Sequence, residues 1–115
     1  MANPVNHFEV LGQDGPALQQ FYGSMFEWEI DASNPMNYGI VSPVEGGIGG
    51  GVAASQDGSS VVTFYVQVDD LQAALDKAES LGGTTVMAPV NVPGGPSIAQ
   101  FSDPAGNVIG LALGR

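Results

Sequence analysis

The chain has 115 residues, 43% of them hydrophobic, with no cysteine and with two Lys/Arg against 12 Asp/Glu, a formal net charge of −10. That length suits one domain with one real core. The absent cysteine excludes disulfides and thiolate metal sites, and the missing basic residues exclude a nucleic-acid surface or an anionic membrane as partner. No stretch approaches the ~20 apolar residues of a membrane span, and Met1-Ala2-Asn3-Pro4 lacks the basic and apolar runs of a signal peptide, so the expected location is cytoplasmic.

Asn6-His7-Phe8-Glu9-Val10-Leu11 alternates polar and apolar residues and predicts a first strand over 5–11. Phe8 and Val10 share one face, and His7, the only histidine, shares the other with Glu9. Asp14 and Pro16 open a helix whose Leu18, Phe21, Tyr22 and Met25 form one apolar face, expected to cover Phe8 and Val10. Three strands are expected next, over 27–32, 38–42 and 48–54, the last loaded with glycine. Ser55 to Ser60 is small and polar and reads as a linker.

The pattern then restarts. Thr63-Phe64-Tyr65-Val66-Gln67-Val68 repeats the first strand with an offset of 56 residues, so that Thr63 takes the place of His7. Asp69 and Asp70 cap a second helix, with Leu71, Ala74, Leu75, Ala78 and Leu81 as its apolar face. A strand over 84–87 is expected to end at Pro89, and 90–96 reads as a lid or a long hairpin connection. Strands over 97–102 and 107–113 close the chain, joined by Asp103-Pro104-Ala105-Gly106.

Each half therefore reads βαβββ, one module over 2–56 and one over 57–115. The expected fold is α+β: two modules setting their sheets into a curved mixed-sheet trough with helices outside. Residues facing the trough would be His7, Glu9, Thr63, Tyr65 and Gln67. The bland alternative is a solvated sheet face.

The order of elements and four motifs resemble the vicinal oxygen chelate superfamily of glyoxalases, bleomycin-resistance proteins and extradiol dioxygenases. The motifs are His7-Phe8-Glu9-Val10, Phe21 through Trp28, Phe64 through Leu71, and Phe101-Ser102-Asp103-Pro104-Ala105-Gly106-Asn107-Val108-Ile109. In metal-using members the resemblance implies a divalent ion in the trough, held by His or Gln and then Glu from the first and last strands of each half. His7 matches the opening ligand. Thr63 stands at its second-half equivalent, glycine stands at the second-half closing position, Gly110, and the matching first-half position falls near Gly50. One ligand of four survives where a site needs three or more, so no cofactor is expected and a divalent metal is the exception.

The Gly46–Gly51 run lacks the lysine and the following helix of a phosphate loop. Its expected use is to leave room for a ligand or to let another chain pack closely, with Gly110 doing the same in the other half. Trp28, Met36, Tyr38 and Tyr65 read either as the apolar wall of a pocket or as core and dimer interface. The leading expectation is a metal-independent binder of a small organic molecule, apolar or cationic, at His7, Glu9, Trp28, Tyr38, Gly50, Thr63, Tyr65, Gln67 and Gly110, in a homodimer. The alternatives are a metal-dependent lyase, isomerase or dioxygenase using His7, with His7 and Glu9 as catalytic candidates, and a dimerisation module with a vestigial pocket.

Overall fold

The computed structural model describes residues 2–114, and its contacts gather into two compact units: His7–Thr63, and the described residues on either side of it. The first element, β1 (Val5–Gly12), runs from the second of these into the first. It is followed by α1 (Gly15–Phe26), β2 (Ile30–Asp31), β3 (Gly39–Val41) and β4 (Gly49–Ala54). In this unit β1 pairs parallel with β4, β4 antiparallel with β3, and β3 antiparallel with β2.

The second half repeats the plan with β5 (Val61–Val68), α2 (Leu71–Ser80), β6 (Thr84–Asn91), β7 (Ser97–Ser102) and β8 (Val108–Leu113). β5 pairs parallel with β8, β8 antiparallel with β7, and β7 antiparallel with β6. The βαβββ repeat and the α+β class read from the sequence are those observed. The divide between the units falls inside β1 and β5 because the chain start is tied to β5: Gln67 N donates to Pro4 O at 2.9 Å, and the Asn3 and Asn6 amides donate to Gln67 O and Oε1, each at 3.1 Å.

Capping follows the sequence. Asp14 accepts from Ala17 N and Asp70 from Ala73 N, each at 3.0 Å, satisfying one orphan N–H per helix. Leu71 and Leu75 of α2 pack on Ala99 and Leu111, with Val66, Val68, Ala74 and Phe101 against them. Asp103 shapes the β7–β8 turn by accepting from the Ala105 and Asn107 N–H groups, each at 2.9 Å, while Gly106 takes a φ of 94° that a side chain would resist.

Several expectations are corrected. Of the four apolar residues expected on the inner face of α1, only Leu18 and Tyr22, four apart, turn inward, whereas Phe21 and Met25 are about three-fifths exposed, at 58% and 62%. The reason is close approach: an ideal Cβ on Gly15 would lie 2.7 Å from Ala54 N, so the helix sits too near β4 for a broad contact face. Leu81 caps α2 and is exposed rather than part of its apolar face. The strand expected over 27–32 shrinks to Ile30–Asp31, since Glu27 caps α1 in the left-handed region with φ 58°. β6 continues through Pro89 to Asn91. A proline is tolerated there because β6 is the last strand of its unit and its register shifts on both sides of Met87. Of the two readings of 90–96, lid or hairpin connection, the second is the one observed: Asn91 pairs with Ser97, and Gly95 N donates to Val92 O at 2.9 Å.

Candidate functional site

Strand alternation puts His7 and Glu9 on one face of β1 and Phe8 on the other. The β4 partners are Gly49 for His7, Gly50 for Phe8 and Gly51 for Glu9. Ile40 of β3 also pairs with Gly51, so Ile40 and Glu9 flank a residue with no side chain. Tyr38, two residues before Ile40, fills that gap. A Cβ on Gly51 would lie 1.8 Å from the Tyr38 hydroxyl oxygen, 2.0 Å from Cζ and 2.4 Å from Cε2, so the hydroxyl end of the ring occupies the space over Gly51. From there its hydroxyl reaches β1, 2.8 Å from His7 Nε2 and 2.9 Å from Glu9 Oε2.

The direction of these bonds follows from counting protons. The hydroxyl has one, and it is donated to Glu9. The oxygen therefore accepts from His7, which fixes the imidazole with its hydrogen on Nε2. Burial pushes the His7 pKa below its ordinary value, so the ring is neutral at pH 7.

Tyr38 is held at every point. Asn34 Oδ1 accepts from Tyr38 N at 2.9 Å, and Asn34 Nδ2 donates to Tyr38 O at 2.7 Å. Asn37, with φ 53°, turns the chain into Tyr38. Gln19 Nε2 donates to Asn37 O at 3.1 Å and to Val52 O at 2.8 Å, anchoring this turn to α1 and β4. Asn34 and Gln19 escaped the sequence reading. The signal was present in Asn34-Pro35-Met36-Asn37-Tyr38, where an asparagine stands ahead of a turn and can bond the backbone beyond it.

Other expected site residues lie elsewhere. Trp28 packs on Phe8 with ring centroids 5.2 Å apart, and on Tyr22 and Phe26 at 5.8 and 5.1 Å. It belongs to the face of β1 opposite His7. Gly50 lies under Phe8, whose ring atoms would be 2.5 Å from a Cβ there, so it too is on the Phe8 side. Thr63 and Tyr65 are buried. Tyr65 covers Gly110, its β8 partner, with ring atoms 2.3 Å from an ideal Cβ, and Gln100 Nε2 approaches its hydroxyl at 3.5 Å. Gln67 ties down Asn3 and Asn6. Gly50, Gly51 and Gly110 thus do not open space, because aromatic rings occupy it.

The metal set implied by the resemblance can be tested on the same geometry. Glu9 pairs with Gly51 and Tyr65 with Gly110, and Tyr65 follows Glu9 by the repeat offset of 56. The equivalent closing positions are therefore Gly51 and Gly110, and a tyrosine ring sits on each. Among the described residues, no three or more His, Asp or Glu side chains gather in a metal-holding group. The residues present do not fit the family's ion.

With the geometry in place, comparisons bear on ancestry. The profile of the Glyoxalase-like domain matches residues 10–112. A Mycobacterium bovis protein named "Putative glyoxylase CFP32" is 26% identical over 123 aligned residues, covering 92% of this chain and 44% of that protein. The chain thus spans less than half the length of the curated relative. Among solved structures, a glyoxalase/bleomycin resistance protein/dioxygenase superfamily member from Vibrio splendidus 12B01 has a TM-score of 0.65 at 15% identity, covering 98% of this chain and 100% of that one. The Mn(II)-bound glyoxalase from Novosphingobium aromaticivorans has a TM-score of 0.67 at 14% identity, covering 97% of this chain and 40% of that one. These two likenesses concern the fold, whereas the profile match spans most of the chain. The chain therefore belongs to the glyoxalase-like domain family, within the vicinal oxygen chelate superfamily that its motifs resemble.

Proposed function

We propose that this protein binds a small organic molecule, without a metal ion, on the face that carries His7, Glu9 and Tyr38. The observation that carries the reading is the Tyr38 hydroxyl, placed within hydrogen-bond distance of both His7 Nε2 and Glu9 Oε2. It holds both residues of the first strand that could serve a metal, and it stands over the glycine at the closing position. A rigid polar–aromatic surface of this kind suits orientation of an organic ligand. The second reading, a metal-dependent enzyme using His7, is favoured by the fold likeness to the Mn(II)-bound glyoxalase.

Metal content of the purified protein, with melting in EDTA and in added Mn(II), Zn(II), Ni(II) and Fe(II), separates the two. A ligand of the folded state alone raises the melting temperature. We expect no stoichiometric metal and no shift. Near-stoichiometric metal with a rise on its addition would overturn the binding reading.

The proposal extends to a cytoplasmic homodimer. No helix among the described residues is long and apolar enough to cross a membrane. The exposed Phe21, Met25 and Phe26 of α1 offer an apolar face to a second copy. Light scattering on the eluting protein tests this, and a monomer mass at high micromolar concentration would refute it.

A further inference from the structure

The repeat supplies an internal control on the surface of α1. The two N-caps, Asp14 and Asp70, are 56 residues apart, so each position of α1 has a counterpart on α2. Phe21 stands where α2 has Lys77, and Gln20 where it has Asp76. On α2 the outward face is charged, with Asp76, Lys77 and Glu79 all exposed. On α1 (Gly15–Phe26) there is no charged residue at all, in a chain whose formal net charge is −10. Phe21, Met25 and Phe26 are exposed there instead, at 58%, 62% and 51%.

The exposed rings are anchored from below. Phe21 meets Tyr22 edge-on with centroids 5.0 Å apart, while Phe26 stacks on Tyr22 at 6.2 Å and leans on Trp28 at 5.1 Å. Trp28 in turn packs on Phe8 of β1, so the patch is the outer end of an aromatic cluster that starts in the sheet. At about 200 Å² for a side chain of this size, the three leave roughly 350 Å² open on each copy. That is more than half of the ~600 Å² per partner at which specific interfaces begin.

Ala17, Phe21 and Met25, four apart, form one exposed ridge, small at one end and long at the other. We propose that two copies of this chain join antiparallel through α1, about a two-fold axis at Phe21, with Met25 of each copy over Ala17 of the other. The inference rests on the homodimer reading above and adds the direction and the register. Three observations make a second copy the occupant. The ridge is complementary to itself under that rotation, because its long end meets its small end twice. The patch is uncharged, so two chains of net charge −10 repel least where it meets itself. Antiparallel helices also set the negative end of one dipole beside the positive end of the other.

Sedimentation equilibrium gives the dimer constant, and melting checks that each variant folds. Phe21→Glu places two carboxylates at the axis and should weaken the dimer about a hundredfold. The Tm should hold, because Phe21 is more than half exposed. Should the Tm fall as well, Ala17→Glu at the exposed end of the ridge carries the same test. Leu81→Glu, at the repeat counterpart of Met25, should leave the constant unchanged. The chain has no cysteine, so an introduced thiol is unique. After subunit exchange and mild oxidation, Ala17→Cys should link to Met25→Cys in preference to itself, since two Ala17 positions lie roughly 12 Å apart along the axis in this register. A dimer that survives Phe21→Glu and Ala17→Glu, or that Leu81→Glu breaks, would place the interface elsewhere and leave the homodimer reading standing. Preferential linking of Ala17→Cys to itself would overturn the antiparallel register. A parent chain that stays monomeric at high micromolar concentration would end both.

Discussion

Replacing Gly51 with alanine puts one methyl group where Tyr38 now lies. The new Cβ would be 1.8 Å from the hydroxyl oxygen and 2.0 Å from Cζ. The ring is the far end of a side chain with freedom at χ1, so it swings away instead of straining the sheet. The cost is then what the ring leaves behind. Two hydrogen bonds are lost, one to the imidazole and one to a half-buried carboxylate, each worth about 1–2 kcal/mol when a partner must find water again. Against this, alanine regains about 0.5–1 kcal/mol over glycine within a strand. The net loss is about 2 kcal/mol, or roughly 8 °C in Tm for a domain of this size. Urea denaturation of Gly51→Ala, Tyr38→Ala and the double variant forms a cycle that isolates the clash. In the Tyr38→Ala background the added methyl meets no ring, so Gly51→Ala should be neutral or slightly stabilising. Additive losses across the cycle, or a Gly51→Ala variant as stable as the parent, would refute the placement of the ring.

The second half offers a harsher case. Gly110→Ala sets a methyl 2.3 Å from a Tyr65 ring that is only 5% exposed and has nowhere to swing, so the loss should exceed that of Gly51→Ala, at about 3 kcal/mol or more, read from the same urea curves. Asn34→Ala removes both side-chain bonds to the Tyr38 backbone and should cost about 1–3 kcal/mol, while Asn34→Asp, which keeps the acceptor for Tyr38 N, should cost less. Stability should also depend on pH through His7. Its folded pKa lies below the unfolded value of 6.5, so the unfolded chain binds more protons between the two, and the His7 contribution is complete above pH 6.5 and is lost as pH falls through the folded pKa. Because the chain has no other histidine, His7→Gln should flatten the slope of stability below pH 6.5, and an unchanged slope would show that His7 is not held neutral by burial.

Much of the fold was legible because its determinants are local or periodic. The alternation over 63–68 announced β5, Asp14 and Asp70 announced their helices, and the 56-residue offset announced the repeat. Errors arose where a neighbour outside the local pattern decided the outcome. Phe21 and Met25 carry the helical period of a buried face, yet α1 rests on β4 through Gly15 and turns that stripe to solvent. Pro89 reads as a strand end, yet a strand paired on one side in its unit can carry it. Trp28 has the spacing of a strand residue, but the left-handed Glu27 ahead of it redirects the chain onto Phe8.

The glycines show why the site itself resisted. A glycine in a strand states that some other atom stands close, not which atom it is. Read alone, Gly50, Gly51 and Gly110 leave two answers open, an enlarged cavity or a ring laid on the backbone, and the rings take the space. The repeat offset could have narrowed the choice. Tyr65 sits directly opposite Gly110, and the residue 56 earlier is Glu9, opposite Gly51, so Gly51 and not Gly50 is the equivalent of Gly110. In one half the covering tyrosine comes from the adjacent strand. In the other that place belongs to a glutamate, and the tyrosine comes from the far side of β4, reaching across to touch it. The ring position is kept while its source moves, which frees Glu9 and His7 to meet one hydroxyl. A Tyr38→Phe variant tests that account: the ring should still cover Gly51, so Gly51→Ala should remain costly in that background, while the pH dependence carried by His7 changes because its hydroxyl partner is gone. A Gly51→Ala substitution that becomes harmless in the Tyr38→Phe background would mean that the hydroxyl bonds, and not the glycine beneath, hold the ring in place.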